Sequence, residues 1–328
     1  MIAPSNMRFT VRPAEEIVGS VFGGFGTVVG VWTTEPGLLP ELETYLRVWV
    51  ETVEAAASRF RADSDISRAN AGAGSPVSVS SDLLDAVDAA CMMADATYGL
   101  CDPTVGGAVI SAGYDRTFTD VVSRGAGPVT AHLRGGAWKQ VVVDRRAGTL
   151  TVPAGFLLDL GGSAKGWAVD QAIRATRRRV LVSHLDAGIC ISAGGDMAVA
   201  GRAPHGGWPV TIRERLEEAG GVPERQVRLA SGGMATSGAS VRRWERDGEQ
   251  QHHIIDPRTG EPGQSTWALV TTFADTCLLA DTMATAAFLL NDAAPRWLAG
   301  RGIGARLLRA DGSEVLIGDL SRWLLGNR

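Results

Sequence analysis

Cysteine is scarce and scattered: Cys91, Cys101, Cys190 and Cys277 are the only four in 328 residues, and no two form a C-x-x-C pair. That spacing offers no zinc knuckle and no disulfide framework, so reduced, buried thiols are expected. Charge of one sign is lacking as well. The chain has 32 Lys and Arg against 36 Asp and Glu, and a net charge of -4 gives no general affinity for nucleic acid or an anionic membrane. No apolar run approaches the roughly 20 residues of a spanning helix. Met1 to Glu16 shows neither an apolar core behind a basic start nor a lipid-attachment cysteine. These absences predict no membrane anchor and a cytoplasmic protein. There is no internal repeat and no low-complexity linker. Hydrophobic residues make up 45% of the chain, enough core for one large domain or two modest ones.

What is present mixes the two secondary-structure periods. Ile17 to Thr33 alternates Val, Phe and Gly, which predicts strand with a glycine-rich bend. Leu38, Leu42, Leu46, Trp49, Val50 and Val53 predict an amphipathic helix over 36–57, opening near Pro36. A second helix is expected over 81–98, with Ser81 as its N-cap and Gly99 as its stop. A loop-rich region follows over 102–136, then short strands at 141–143 and 149–152. Further helices are predicted over 164–179, 276–290 and 292–299, and strands near 189–192, 208–213, 227–230, 240–246, 266–273 and 303–309. Arg177 to Arg179 are expected to sit at a helix C-terminus. Without regular alternation the fold class is α+β or mixed α/β, in one compact body. The expected divisions are an N-terminal extension 1–16, a domain 17–318 and a tail 319–328.

Four clusters can carry chemistry. Leu157 to Asp170 reads L-L-D-L-G-G-S-A-K-G-W-A-V-D, an apolar strand entering Gly161-Gly162-Ser163 and then a helix with Lys165 in its first turn. Backbone amides, a helix N-terminus and a lysine would together stabilise a phosphate. The plainer alternative is a common strand-to-helix turn. Ala280 to Thr285 reads A-D-T-M-A-T, and Asp281 and Thr285 share one helical face in a helix otherwise apolar almost all round. A carboxylate and a hydroxyl so placed suit a hard cation such as magnesium. Gln251 to Gly260 reads Q-H-H-I-I-D-P-R-T-G; an imidazole here can act as a base, and a surface histidine beside a tight turn is an equal reading. Ala193 to Asp196 and Ala235 to Gly238 are small polar turns suited to close ligand contact. Asp63-Ser64-Asp65 with Asn70, and Asp102-Pro103-Thr104, read first as turn chemistry.

In order along the chain these pieces resemble the ApbE family, the FAD:protein FMN transferases, from about Gly19 to Leu290. The matching stretches are S-R-F-R-A-D-S-D-I-S-R-A-N (58–70), Y-G-L-C-D-P-T-V-G (98–106), L-D-L-G-G-S-A-K-G-W-A-V-D (158–170), S-A-G-G-D (192–196), A-T-S-G (235–238), H-H-I-I-D-P-R-T-G (252–260) and A-D-T-M-A-T (280–285). The resemblance implies an ApbE-like body with an interior FAD cleft. It implies Mg2+-dependent transfer of FMN from FAD to a Ser or Thr hydroxyl of an acceptor flavoprotein, releasing AMP. Asp281 and Thr285 match the metal ligands, with the Gly162 carbonyl completing the set. Lys165 matches a residue beside the pyrophosphate, and His253 the group that activates the acceptor hydroxyl. Ser64, Asp102, Thr104, Gly161, Gly162, Gly194, Gly195, Asp196, Ser237, Gly238 and Asp256 match positions around the flavin and phosphates.

Two departures touch that pocket: Phe60 stands where the family often has tyrosine, and Ala239-Ser240-Val241 replaces an acidic-aromatic pair. A hydrolase splitting FAD to FMN and AMP, and a carrier that binds FAD without turnover, are the alternatives.

Overall fold

The computed structural model describes residues 9–11, 17–124, 134–183, 187–213, 224–240, 242–246 and 249–324. Of the expected N-terminal extension only Phe9–Val11 is described, a strand paired antiparallel to Trp208–Arg213. The chain forms two compact units. One comprises residues 1–51, 165–237 and 266–328, and the other 52–164 and 238–265. Both mix helix and sheet, as the composition of predicted elements requires.

The first unit is built on an eight-stranded antiparallel sheet. Its strands in chain order are β1 (Val18–Gly24), β2 (Thr27–Thr33), β3 (Ile189–Ala193), β4 (Asp196–Ala200), β5 (Gly233–Ser237), β6 (Trp267–Ala274), β7 (Gly304–Arg309) and β8 (Glu314–Ile317). Their order across the sheet is β8-β7-β6-β5-β4-β3-β2-β1. The bend foreseen in 17–33 is the two-residue turn Phe25-Gly26, both in left-handed backbone, and it makes β1 and β2 a hairpin. Gly19 and Gly30, cross-strand neighbours of Trp32 and Val21, leave one face of the hairpin bare. The Trp32 indole lies flat where their Cβ atoms would be, and any side chain there would collide with the ring. Trp32 thereby enters an apolar layer with Val210, Leu229, Met234, Phe273 and Trp323. Trp323 and Leu324, inside the stretch expected to be a tail, are buried in that layer.

The opposite face of the sheet carries α1 (Leu39–Ala57), α2 (Ala164–Ser183) and α3 (Cys277–Leu290). Leu42, Leu46 and Val50 of α1 pack with Val169, Ala172 and Ile173 of α2 against Val29, Val31 and Ile191. Trp49 ties the two helices, its Nε1 donating to the Ala168 carbonyl at 2.9 Å. The helix expected over 164–179 continues to Ser183, so Arg177 and Arg178 lie exposed a turn short of its end rather than capping it.

In the second unit, helices span Asp65–Ala71, Ser81–Ala96, Gly106–Ser111 and Phe118–Arg124. The last two lie in the region read as loop, where short helical turns carry too few residues for a period to show. Ser80, not Ser81, caps the second helix, its side chain accepting from Leu83 N at 3.3 Å. A three-stranded sheet joins Pro76–Ser78, Thr149–Thr151 and Val142–Asp144. The strand expected over 240–246 is the hairpin Arg243–Arg246 with Glu249–His252. Tyr114, Trp244, Val109 and Ile255 form its core.

Candidate active site

In the first unit, α3 is buried almost all round, including Asp281 at 5% exposure, which is what its apolar flanks predicted. A carboxylate there needs a cation or donors to offset desolvation. Lys165, in the first turn of α2, supplies the charge. Its Nζ bonds the Asp196 carboxylate and lies 3.8 Å from Asp281 Oδ2. Asp196 is also buried, at 4% exposure. It is delivered by the tight turn between β3 and β4, where Gly194 and Gly195 both adopt positive φ. One ammonium thus faces two buried carboxylates.

One helical turn beyond Asp281, the Thr285 hydroxyl meets the Ser237 hydroxyl at 2.9 Å. The stretch expected as a turn at 235–238 is instead the end of β5, a central strand of the sheet. Small polar residues suggested a turn, but Ala235, Thr236 and Ser237 are held as strand by their distant partners Thr272, Thr271 and Val270. Lys165, Asp196 and Asp281 therefore come together, with Ser237 and Thr285 as a second pair in the same unit.

The second unit holds the other expected site residues. Ser64 caps helix 65–71: its Oγ accepts from Ser67 N at 3.2 Å and donates to the Ser58 carbonyl at 2.7 Å. Asp102 Oδ1 accepts from the amide and hydroxyl of Thr104, both at 2.7 Å, and its Oδ2 accepts from Gly136 N. The Thr104 hydroxyl accepts from Ala137 N at 3.1 Å. These three residues hold their own loops in shape. Gly161 N donates to Asp159 Oδ1 at 2.7 Å, and Asp159 Oδ2 is paired with Arg59 Nε at 2.7 Å. The Gly162 carbonyl accepts from Cys101 Sγ at 3.4 Å. Gly238 opens the second segment of this unit. Asp256 bonds the amide and guanidinium of Arg258. Although partial burial pushes the other way, those bonds hold its carboxyl below the usual range.

The two histidines separate by their partners. His252 Nε2 donates to the Gly263 carbonyl at 2.8 Å and its Nδ1 accepts from Ile254 N at 3.3 Å. Burial lowers its pKa, so it is a neutral structural ring. His253 Nδ1 lies 3.4 Å from the Arg242 carbonyl. Donation at that bond makes Nε2 the basic nitrogen, the tautomer a general base needs.

Two residues went unnoticed in the sequence. Arg59 stands over the Phe60 and Tyr114 rings, its Cζ 4.6 and 5.5 Å from the centroids, besides pairing with Asp159. Asp170 of α2 is the other. Among the described residues no helix is long and apolar enough to cross a membrane.

The antiparallel sheet with helices packed on it defines a mixed α/β fold, and its buried Lys165, Asp196 and Asp281 form a candidate site. The model of the ApbE family matches residues 25–307, and the chain belongs to that family. A Treponema pallidum protein named FAD:protein FMN transferase is 32% identical over 73% of this chain and 68% of its own length. A Vibrio cholerae protein of the same name is 26% identical, over 86% of this chain and 83% of its own. Among solved structures, the ApbE protein from Thermotoga maritima has a TM-score of 0.76 at 26% identity, covering 92% of this chain and 97% of that one. The flavin transferase ApbE from Vibrio cholerae, at 23% identity, shares the fold with a TM-score of 0.75. The curated relatives are transferases, and this chain is a transferase of their family.

Proposed function

We propose that the chain transfers the FMN moiety of FAD to a Ser or Thr hydroxyl of an acceptor flavoprotein, with magnesium, releasing AMP. The observation that carries this reading is the buried cluster of Lys165, Asp196 and Asp281 beside Ser237 and Thr285.

Whether the residues fit magnesium can be tested on their donor chemistry. Among the described residues no three or more His, Cys, Asp or Glu converge as a self-sufficient metal site. Asp281 and Thr285 offer one carboxylate and one hydroxyl on a single face. That small, hard oxygen set suits a cation that keeps waters and takes substrate phosphate oxygens for the rest. Zinc, which favours nitrogen and sulfur, is not suited. Asp281 and Thr285 would hold the ion, and when bound it supplies charge neutralisation to the pyrophosphate.

The protein's own groups do the rest. Lys165 offers its ammonium to a phosphate oxygen, and the two carboxylates keep that ammonium aimed. The Gly194-Gly195 turn and the Gly161-Gly162 turn present backbone that a phosphate or flavin can approach closely. His253 Nε2 accepts the proton of the acceptor hydroxyl as that oxygen bonds to the FMN phosphorus. The bond from that phosphorus to the AMP oxygen breaks, and AMP leaves. Ser64, Asp102 and Thr104 hold their own loops in shape, and Asp256 fixes the turn after His253. AMP release and covalent flavin fluorescence on an acceptor domain, followed with FAD and Mg2+, test the proposal; release of AMP without a labelled acceptor would instead indicate hydrolysis.

A further inference from the structure

Helix α2 carries Lys165, and helix α3 carries Asp281 and Thr285. Where these groups stand relative to one another depends on how the two helices lock together. Two observations, independent of each other, describe that lock. The first is the Asp170 carboxylate, 8% exposed, whose Oδ1 accepts from Cys277 N at 2.8 Å and whose Oδ2 accepts from Leu278 N at 2.9 Å. Both are amides of the first turn of α3, which have no partner within the helix. One carboxylate from another helix thus satisfies two of them, and its charge opposes the positive end of the α3 dipole. The α3 cap itself, Thr276, serves the next amide by accepting from Leu279 N at 3.2 Å.

The second observation is Gly166. A Cβ built there would stand 2.8 Å from Leu278 Cα and 3.1 Å from the Cys277 carbonyl oxygen, closer than backbone tolerates. Only glycine lets the two helices approach to this distance. Gly166 and Asp170 are four residues apart, so they occupy one face of α2, one turn above the other. The whole face meets the first turn of α3, and Asp281 follows three residues after Leu278.

We infer that Gly166 and Asp170 are positioning residues that fix α2 against the first turn of α3, and so set Lys165 in register with Asp281 and Thr285. Within K-G-W-A-V-D (165–170) the lysine faces the ligand, and the glycine and aspartate hold the helix that carries it. The inference rests on the proposed magnesium-dependent reading of the same cluster.

Its test compares wild type, Asp170→Asn and Gly166→Ala, with Mn2+ as the probe ion. Three readouts are taken: the EPR signal of free Mn2+ in a titration with FAD present, kcat for AMP release onto an acceptor domain, and the folded state by circular dichroism. Asp170→Asn keeps the shape but places an amide donor against one of two N–H groups. Gly166→Ala removes no hydrogen-bonding group but pushes the helices apart. Both are expected to fold, to weaken Mn2+ binding about tenfold or more, and to lower kcat at saturating FAD by a similar factor, the scale of groups that orient metal ligands. The FAD concentration at half-maximal rate should move less. Mn2+ midpoints and kcat within twofold of wild type, with only the melting temperature lowered, would overturn the inference. So would failure of both variants to fold, since the pair would then serve the fold alone. An inert wild type would instead overturn the proposed reaction, and the Mn2+ midpoints would still separate the variants.

Discussion

Replacing Lys165 with methionine isolates the electrostatics of the cluster. The two carboxylates it serves are 4% and 5% exposed, so removing the ammonium leaves them without their shared counter-charge in a poorly solvated place. Breaking a buried pair from one side costs about 3–5 kcal/mol. Lys165 keeps 19% side-chain exposure, which lets water replace part of its effect and puts the expected loss near the lower limit, about 3 kcal/mol. For a unit of this size that corresponds to roughly 6–12 °C in melting temperature. Adding Asp196→Asn removes the stranded charge and should recover at least half of the loss. Thermal melts of the three proteins at one pH decide the matter. A deficit under about 1 kcal/mol, or a double variant no more stable than the single, would refute the reasoning.

Three further outcomes are expected. Thr285→Val keeps the shape but removes the hydroxyl that meets Ser237, and should lower kcat by about tenfold or more while leaving the melt within a few degrees; steady-state AMP release measures it. Because burial depresses the His252 pKa, the folded ring stays neutral while the unfolded one protonates near pH 6.5. Wild-type stability should therefore decline as pH falls below about 6.5, and His252→Gln should flatten that part of a urea-midpoint profile. Asp102→Ala removes the acceptor for Gly136 N and Thr104 N, and should expose loop 134–137 to proteolysis at a cost of about 1–3 kcal/mol, measured by limited digestion and denaturant melts.

Local pattern made some of this site legible. Asp281 and Thr285 could be placed on one face of one buried helix because both the four-residue spacing and the apolar flanks lie within that helix. The Gly194-Gly195 turn was readable because two successive glycines between apolar strands ask for positive φ. Pairings across the chain were not readable. Nothing in the sequence says that Lys165 meets Asp196, 31 residues away, or that Asp170 caps a helix 107 residues on. Ser237 was taken for a turn because small residues dominate 235–238, whereas its place at the end of a strand comes from pairing with Val270, 33 residues on. Helix 65–71 was read as turn chemistry for a related reason. Seven residues are too few for an apolar period to declare itself.

FMN transfer is proposed to depend on the Lys165, Asp196 and Asp281 cluster with Thr285. Its most direct test is purified protein incubated with FAD, Mg2+ and a flavin-accepting domain, for wild type and Asp281→Ala. The expected result is AMP release matched by fluorescent acceptor on a denaturing gel, with the variant slower by about 10² or more. Labelling by Asp281→Ala at the wild-type rate under limiting Mg2+ would contradict the claim.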